Sequence, residues 1–117
     1  MEPIEDRRTQ ARLLCAELVE LAWRNHTGRE RRCVANLEDI SVSGILLHVE
    51  NPIAPGMTVT IIHGETSLSG TVRHCTYAGD GYAIGIQLDE QFEWSTRIFR
   101  PSHLFDPRTI QSRLRVN

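Results

Sequence analysis

Three arginines lie close together near the N-terminus, in the segment Arg7-Arg8-x-x-x-Arg12. A guanidinium group presents a planar fork of N–H donors that suits phosphate oxygens and base edges, and it also stacks on aromatic planes. Three such groups within six residues could therefore hold a ligand that has both phosphate and base. The alternative is a basic arm exposed to solvent, because surface charges are usually solvated.

A second group of polar residues, Asp39-x-Ser41-x-x-Gly44, falls where one strand-like stretch gives way to the next. Asp and Ser side chains commonly bond to nearby backbone, so the segment could be an ordinary turn. Gly44 could be a plain turn or bulge glycine. Ser43, within the same segment, could contribute its hydroxyl or amide.

Composition sets wide limits on the protein class. The chain has 117 residues, 40% hydrophobic and 24% charged, which predicts one soluble globular domain. All 13 basic residues are Arg, a bias that a GC-rich genome would also produce. The net charge of −2 argues against a general nucleic-acid binder. Three cysteines without CxxC spacing and an acidic start predict a cytoplasmic protein with reduced thiols. No stretch is long enough to span a bilayer.

The chain divides into three parts. Residues 1–12 form a flexible Arg-bearing arm, residues 13–92 carry the strand signals, and residues 93–117 form a C-terminal segment. Between Leu13 and Trp23 the apolar spacing fits either a helix or a strand, and periodicity alone slightly favours a helix. β-Branched runs and turn signals from Arg32 onward predict short strands. Asp106-Pro107 predicts the start of a short C-terminal helix.

The two motifs occur in this order, with Asp39 27 positions after Arg12, and they resemble those of the PilZ domain family. Its members have an RxxxR motif before the first strand and a (D/N)xSxxG motif at a later strand junction. The likeness extends over roughly residues 5–92. It implies an all-β fold, a six-stranded antiparallel barrel with a short C-terminal helix, in which Leu13–Trp23 is a strand. It also implies that the ligand is cyclic di-GMP.

The resemblance assigns roles to individual residues. Arg8 and Arg12 would be the motif arginines, which bind phosphate or guanine. Arg7 holds the position that is associated in the family with the number of bound ligand molecules, one or two stacked on each other. An Arg at this position suits a stacked pair. Asp39 would accept hydrogen bonds from the guanine N1–H and N2–H₂ edge. Ser41 would bond the ligand or brace the turn. Gly44 would provide a backbone conformation, or a close approach, that a Cβ would obstruct.

Other chemistry has little support in the sequence. His74 and Cys75 are adjacent and would face opposite sides of a strand, and the other histidines are isolated, so we expect no metal site. No nucleophile elbow, P-loop or dinucleotide fingerprint is present, so we expect neither catalysis nor a cofactor. Cys15, Cys33 and Trp23 are expected in or near the core. Residues 93–105 form either an extra strand or a partner-binding surface.

The expected function is that of a bacterial receptor: cyclic di-GMP bridges the arm to the Asp39–Gly44 face, and the altered surface signals to a protein of the motility, pilus or polysaccharide machinery. One alternative is a PilZ-like adaptor that binds proteins and no nucleotide. A more distant one is a nucleic-acid-binding barrel, which the acidic charge disfavours. No membrane association is expected.

Overall fold

The computed structural model describes residues 13–90, which contain six β-strands. The strands are β1 (Leu13–Arg24), β2 (Glu30–Ile40), β3 (Gly44–Val49), β4 (Thr58–His63), β5 (Thr66–Tyr77) and β6 (Tyr82–Leu88). They close into one antiparallel barrel in the order β1-β2-β3-β6-β5-β4. The all-β barrel predicted from the sequence is therefore confirmed. The expected C-terminal helix and the N-terminal arm lie outside the described residues.

The first strand shows why apolar spacing alone was misleading. Periodicity slightly favoured a helix here, and that expectation was wrong, because β1 pairs with β2 along one edge and with β4 along the other. In this strand Val19 and Leu21 are buried, whereas Leu14 and Leu18 point outward and Leu18 is 69% exposed. The helical spacing of leucines therefore does not describe a buried face, since Leu14 and Leu18 are on the surface and Leu21 is buried.

The core fills the barrel with aliphatic side chains, while Cys15, Cys33 and Trp23 are half-buried against it. Strand residues that point inward alternate with outward ones, as a half-buried sheet requires. Ile53, from the connection between β3 and β4, is also buried. The buried hydrophobic residues are Val19, Leu21, Ala35, Leu37, Ile40, Ile45, Leu47, Val49, Ile53, Val59, Ile61, Leu68, Val72, Ile84, Ile86 and Leu88. Within residues 13–90 no helix is long and apolar enough to cross a membrane.

Two glycines with positive φ lie in the hairpin loops of the barrel. Gly64, with φ of 60°, turns β4 into β5 across a two-residue loop, and Gly79, with φ of 90°, lies in the loop between β5 and β6. Both occupy the left-handed region, which a residue without a Cβ enters at little cost. The hairpins fix the registers of β4–β5 and β5–β6, and these registers in turn decide which side chains share a face.

Three irregularities interrupt the strand pairing. They fall between Leu14 and Glu17 in β1, between Leu37 and Asp39 in β2, and between Val72 and His74 in β5. A bulge inserts an extra residue and changes the direction in which neighbouring side chains point. All three lie at a similar height on the barrel, because the paired residues Leu14, Asp39, Leu46, Gly85 and His74 connect across successive strands.

Candidate functional site

The outer surface of the barrel carries a continuous row of paired residues that includes Asp39. Leu14 of β1 faces Asp39 of β2, and the pairing continues to the next three strands. Residues directly opposite each other in a ladder point to the same side of the sheet. We call this set the outer row; it consists of Leu14, Asp39, Leu46, Gly85 and His74.

The β2 bulge determines that Asp39 points outward. Leu37 and Ile40 are both fully buried, and only the extra residue between them allows Asp39 to take the outer side. Although its side chain belongs to the outer row, Asp39 is only 9% exposed. The carboxylate therefore lies in a recessed part of the surface, where hydrogen bonds to a ligand are less screened by water than on an open surface.

Ser41 and Gly44 form the two ends of a tight turn between β2 and β3. The Ser41 backbone N–H donates to the Gly44 carbonyl at 2.8 Å. The Ser41 hydroxyl accepts the Gly44 N–H at 3.1 Å and donates to the Gly44 carbonyl at 3.3 Å. Of the two roles expected for Ser41, bracing the turn is thus the one seen in the structure. The hydroxyl fixes the strand junction immediately after Asp39.

Gly44 does not have the special backbone conformation that was one of its two expected roles. It is absent from the glycines with positive φ, and a Cβ built on it would make only ordinary contacts, at 3.5 Å to Ser41 Oγ and 3.6 Å to the Ile86 carbonyl. Neither φ nor crowding within the described residues requires glycine here. The remaining expected role is the close approach of a bound molecule to the backbone.

The first described residue, which follows the N-terminal arm in the sequence, lies beside this junction. Leu13, the first residue of β1, pairs with Ile40, the residue between Asp39 and Ser41. Arg7, Arg8 and Arg12 lie outside the described residues, but Arg12 is bonded to Leu13, and consecutive Cα atoms are about 3.8 Å apart. Arg8 is five residues from Leu13, a length of chain that reaches at most about 18 Å.

His74 belongs to this surface, although the sequence gave it no role. His74 is the last residue of the outer row and pairs with Gly85. A Cβ at Gly85 would overlap the His74 ring. The end of the ring that carries Nε2 therefore lies close to the bare backbone of β6. A glycine inside a strand often marks such a close approach, so Gly85 was a possible signal in the sequence. The β5 bulge that turns His74 outward has no comparable signature.

A family model described as the PilZ domain matches residues 6–94. The chain belongs to the PilZ domain family. No curated protein matches the chain in sequence. The matched range contains both motifs, from Arg7 to Gly44, together with all six strands. PilZ domains are cyclic di-GMP receptors in general, and they act as binding or effector domains rather than as enzymes.

This PilZ domain also has a cluster of titratable groups at the end of the barrel where the arm enters. Glu17 of β1 and His63 of β4 are within hydrogen-bond distance, with 2.8 Å between Glu17 Oε2 and His63 Nε2. Burial, followed by the nearby carboxylates of Asp39, Glu17 and Glu38, raises the pKa of the Cys15 thiol to about 12. In residues 13–90, no three metal-ligating side chains are grouped so that they could hold an ion.

Proposed function

We propose that this PilZ domain is a receptor in which cyclic di-GMP is held between the N-terminal arm and the outer row. Arg8 and Arg12 bind the phosphodiesters or stack on guanine, and Arg7 favours a second, stacked ligand molecule. Asp39 accepts the N1–H and N2–H₂ donors of one guanine. Gly44 leaves room for the ligand against the backbone, and Ser41 holds the junction in shape.

The observation that carries this proposal is the pairing of Leu13 with Ile40 and of Leu14 with Asp39. It ties the start of the arm to the strand that bears the carboxylate. An arm entering on the far side of the barrel would have to cross it before an arginine could share a ligand with Asp39. With this pairing, one ligand can contact an arginine of the arm and Asp39 without any rearrangement of the strands.

The signalling step follows from the same arrangement. A ligand held on one side by the barrel and on the other by the arm fixes the arm against the outer row, which creates a surface absent from the free protein. A bacterial cytoplasmic partner of the motility, pilus or polysaccharide machinery then recognises this surface. The ligand itself undergoes no chemistry.

Isothermal titration calorimetry with cyclic di-GMP tests the binding step. We expect the wild type to bind, and Arg8→Ala and Asp39→Ala each to abolish the heat of binding. Arg31→Ala is the matched control, because Arg31 is an exposed β2 arginine that pairs with Trp23 at the opposite end of the strand. Absence of heat for the folded wild type would contradict the proposal and favour the adaptor function. Binding to generic oligonucleotides would instead indicate the nucleic-acid-binding alternative.

Limited trypsin digestion tests the ordering of the arm, because trypsin cleaves after arginine. Cyclic di-GMP should slow cleavage after Arg7, Arg8 and Arg12. Cleavage after Arg29, in the exposed connection between β1 and β2, should be unchanged and serves as an internal control. Equal cleavage of the arm with and without saturating ligand would show that binding, if present, is not coupled to the arm.

A further inference from the structure

The β5 bulge presents an arginine that neither motif includes. Val72, before it, is buried in the core, and His74, after it, belongs to the outer row, so Arg73 is the additional residue of the bulge. Its side chain is exposed. In a regular strand one of two consecutive residues would point inward, but the bulge places the side chains of Arg73 and His74 on the outside together.

Gln87 of β6 orients the Arg73 side chain. The Arg73 Nε–H donates to Gln87 Oε1 at 2.7 Å. In the ladder Gln87 pairs with Gly44 on one side and with Thr71 on the other. The guanidinium group is therefore held beside Gln87, on the strand that pairs with Gly44. This hydrogen bond already restricts the rotamers of Arg73 in the free protein. The side chain therefore loses less conformational entropy when it binds a ligand.

The charge of Arg73 is not neutralised by a direct contact within residues 13–90. No ion pair joins it to any carboxylate there, although Asp89 and Glu90 line the same surface depression of about 330 Å³. The bond to Gln87 uses only Nε, so both terminal nitrogens keep their N–H donors. Two parallel donors on one edge of a guanidinium match two oxygens of a phosphate.

We infer that Arg73 is a ligand-contact residue that binds a phosphodiester of the cyclic dinucleotide, with Gln87 as its positioning residue. The inference rests on the proposed function. The strand of Arg73 is three strands away from that of Asp39, which is about 14 Å along the sheet at about 4.8 Å per strand. Arg73 would thus bind the ligand from a different strand than Asp39, and its own strand fixes it to the barrel.

Calorimetry of four variants with cyclic di-GMP tests this assignment. Arg73→Ala should weaken binding by roughly ten- to a hundredfold, the range for a charge-assisted hydrogen bond. Arg73→Lys should bind more weakly than the wild type but more tightly than Arg73→Ala, because a lysine serves a phosphate as a point charge and lacks the bidentate fork. Gln87→Leu should weaken binding a few-fold. Arg31→Ala, which removes the same charge elsewhere, should leave the affinity unchanged.

A double-mutant cycle separates positioning from a general structural effect. In the Arg73→Ala background, Gln87→Leu should cause no further loss, because Gln87 acts only through Arg73. The wild-type affinity should also fall more steeply with added salt than that of Arg73→Ala, since one ionic contact is absent from the variant. Thermal unfolding of each variant checks that the barrel is intact, as expected for an exposed side chain.

The outcomes distinguish this inference from the proposed function. A wild type that does not bind removes both. A wild type that binds while Arg73→Ala binds equally well overturns the inference alone and leaves the receptor function in place.

Discussion

Leu14 lies directly opposite Asp39 in the β1–β2 ladder. The pair ties the first two residues of the barrel to the carboxylate that the (D/N)xSxxG motif provides. The start of β1, which follows Arg12 directly in the sequence, is thus paired with the strand that bears the second motif. The bulge after Leu37 is essential to this relationship, because without it Asp39 would not share a face with Leu14.

Asp39→Asn should remove most of the affinity for cyclic di-GMP while keeping the shape of the side chain. A carboxylate accepts from both donors of the guanine edge, whereas an amide has one acceptor oxygen and turns a donor toward the second position. Leaving a buried donor unpaired costs about 1–3 kcal/mol, which corresponds to a loss of roughly ten- to a hundredfold. Calorimetry measures it, and an affinity within twofold of the wild type would contradict the role assigned to Asp39.

Gly44→Ala should separate ligand binding from stability. The added Cβ meets only ordinary contacts and φ is not positive, so the free energy of unfolding should stay within about 1 kcal/mol of the wild type or rise. Binding of cyclic di-GMP should nevertheless fall at least tenfold, because the methyl group occupies space that the ligand needs. Urea unfolding and calorimetry on the same preparation provide the two measurements.

Gly70→Ala is the matched control for that substitution. Gly70 lies in β5 and is buried, and a Cβ there would overlap the backbone oxygen of Gln87. Overpacking of this kind typically costs about 1–3 kcal/mol, so this variant should lose stability where Gly44→Ala does not. If Gly44→Ala were equally destabilised, glycine would be required at position 44 for the fold and not for the ligand.

The barrel was predictable from the sequence to a greater extent than the site. β-Branched runs and turn signals predicted short strands from about Arg32 onward, which is where β2 to β6 lie. The first strand required the family resemblance, because its leucines repeat at helical spacing although Leu18 is exposed. Pairing with two neighbouring strands, which is a property of the whole fold, overrides this local pattern.

The site was only partly predictable, because strand register decides which residues share a face. Asp39, Ser41 and Gly44 could be named from a motif, but the hydroxyl bonds of Ser41 to Gly44 and the ordinary φ of Gly44 required coordinates. Arg73 and His74 could not have been found from the alternation rule. That rule places neighbours on opposite faces, and the bulge after Val72 breaks it.

His74→Ala should weaken binding of cyclic di-GMP by about tenfold, because an exposed imidazole ring at the end of the outer row can stack on a guanine. Base–aromatic stacking contributes about 1–3 kcal/mol per base. His74→Phe should keep most of the affinity. Gly85→Ala should act like His74→Ala, since the added Cβ displaces the ring. Calorimetry compares the three, and an unchanged affinity for His74→Ala would remove His74 from the site.

The raised pKa of Cys15 predicts how the stability of the barrel depends on alkaline pH. Burial, with the carboxylates of Asp39, Glu17 and Glu38, raises the thiol pKa from 9.0 to about 12 in the folded protein. Above pH 9 the unfolded chain therefore releases the Cys15 proton while the folded chain keeps it. The contribution to stability is fully present below pH 9 and is lost as the pH rises from about 9 to 12.

Cys15→Ala isolates this effect from the other groups that titrate in the same range. Its free energy of unfolding should fall less between pH 8 and pH 10.5 than that of the wild type, whereas the control Cys75→Ala should fall as the wild type does. The ionisable groups that the three proteins share contribute equally to each of them and cancel in the comparison. Urea unfolding at the two pH values measures the difference. Parallel losses in the wild type and Cys15→Ala would show that the thiol is not held beside the carboxylates at the arm end of the barrel.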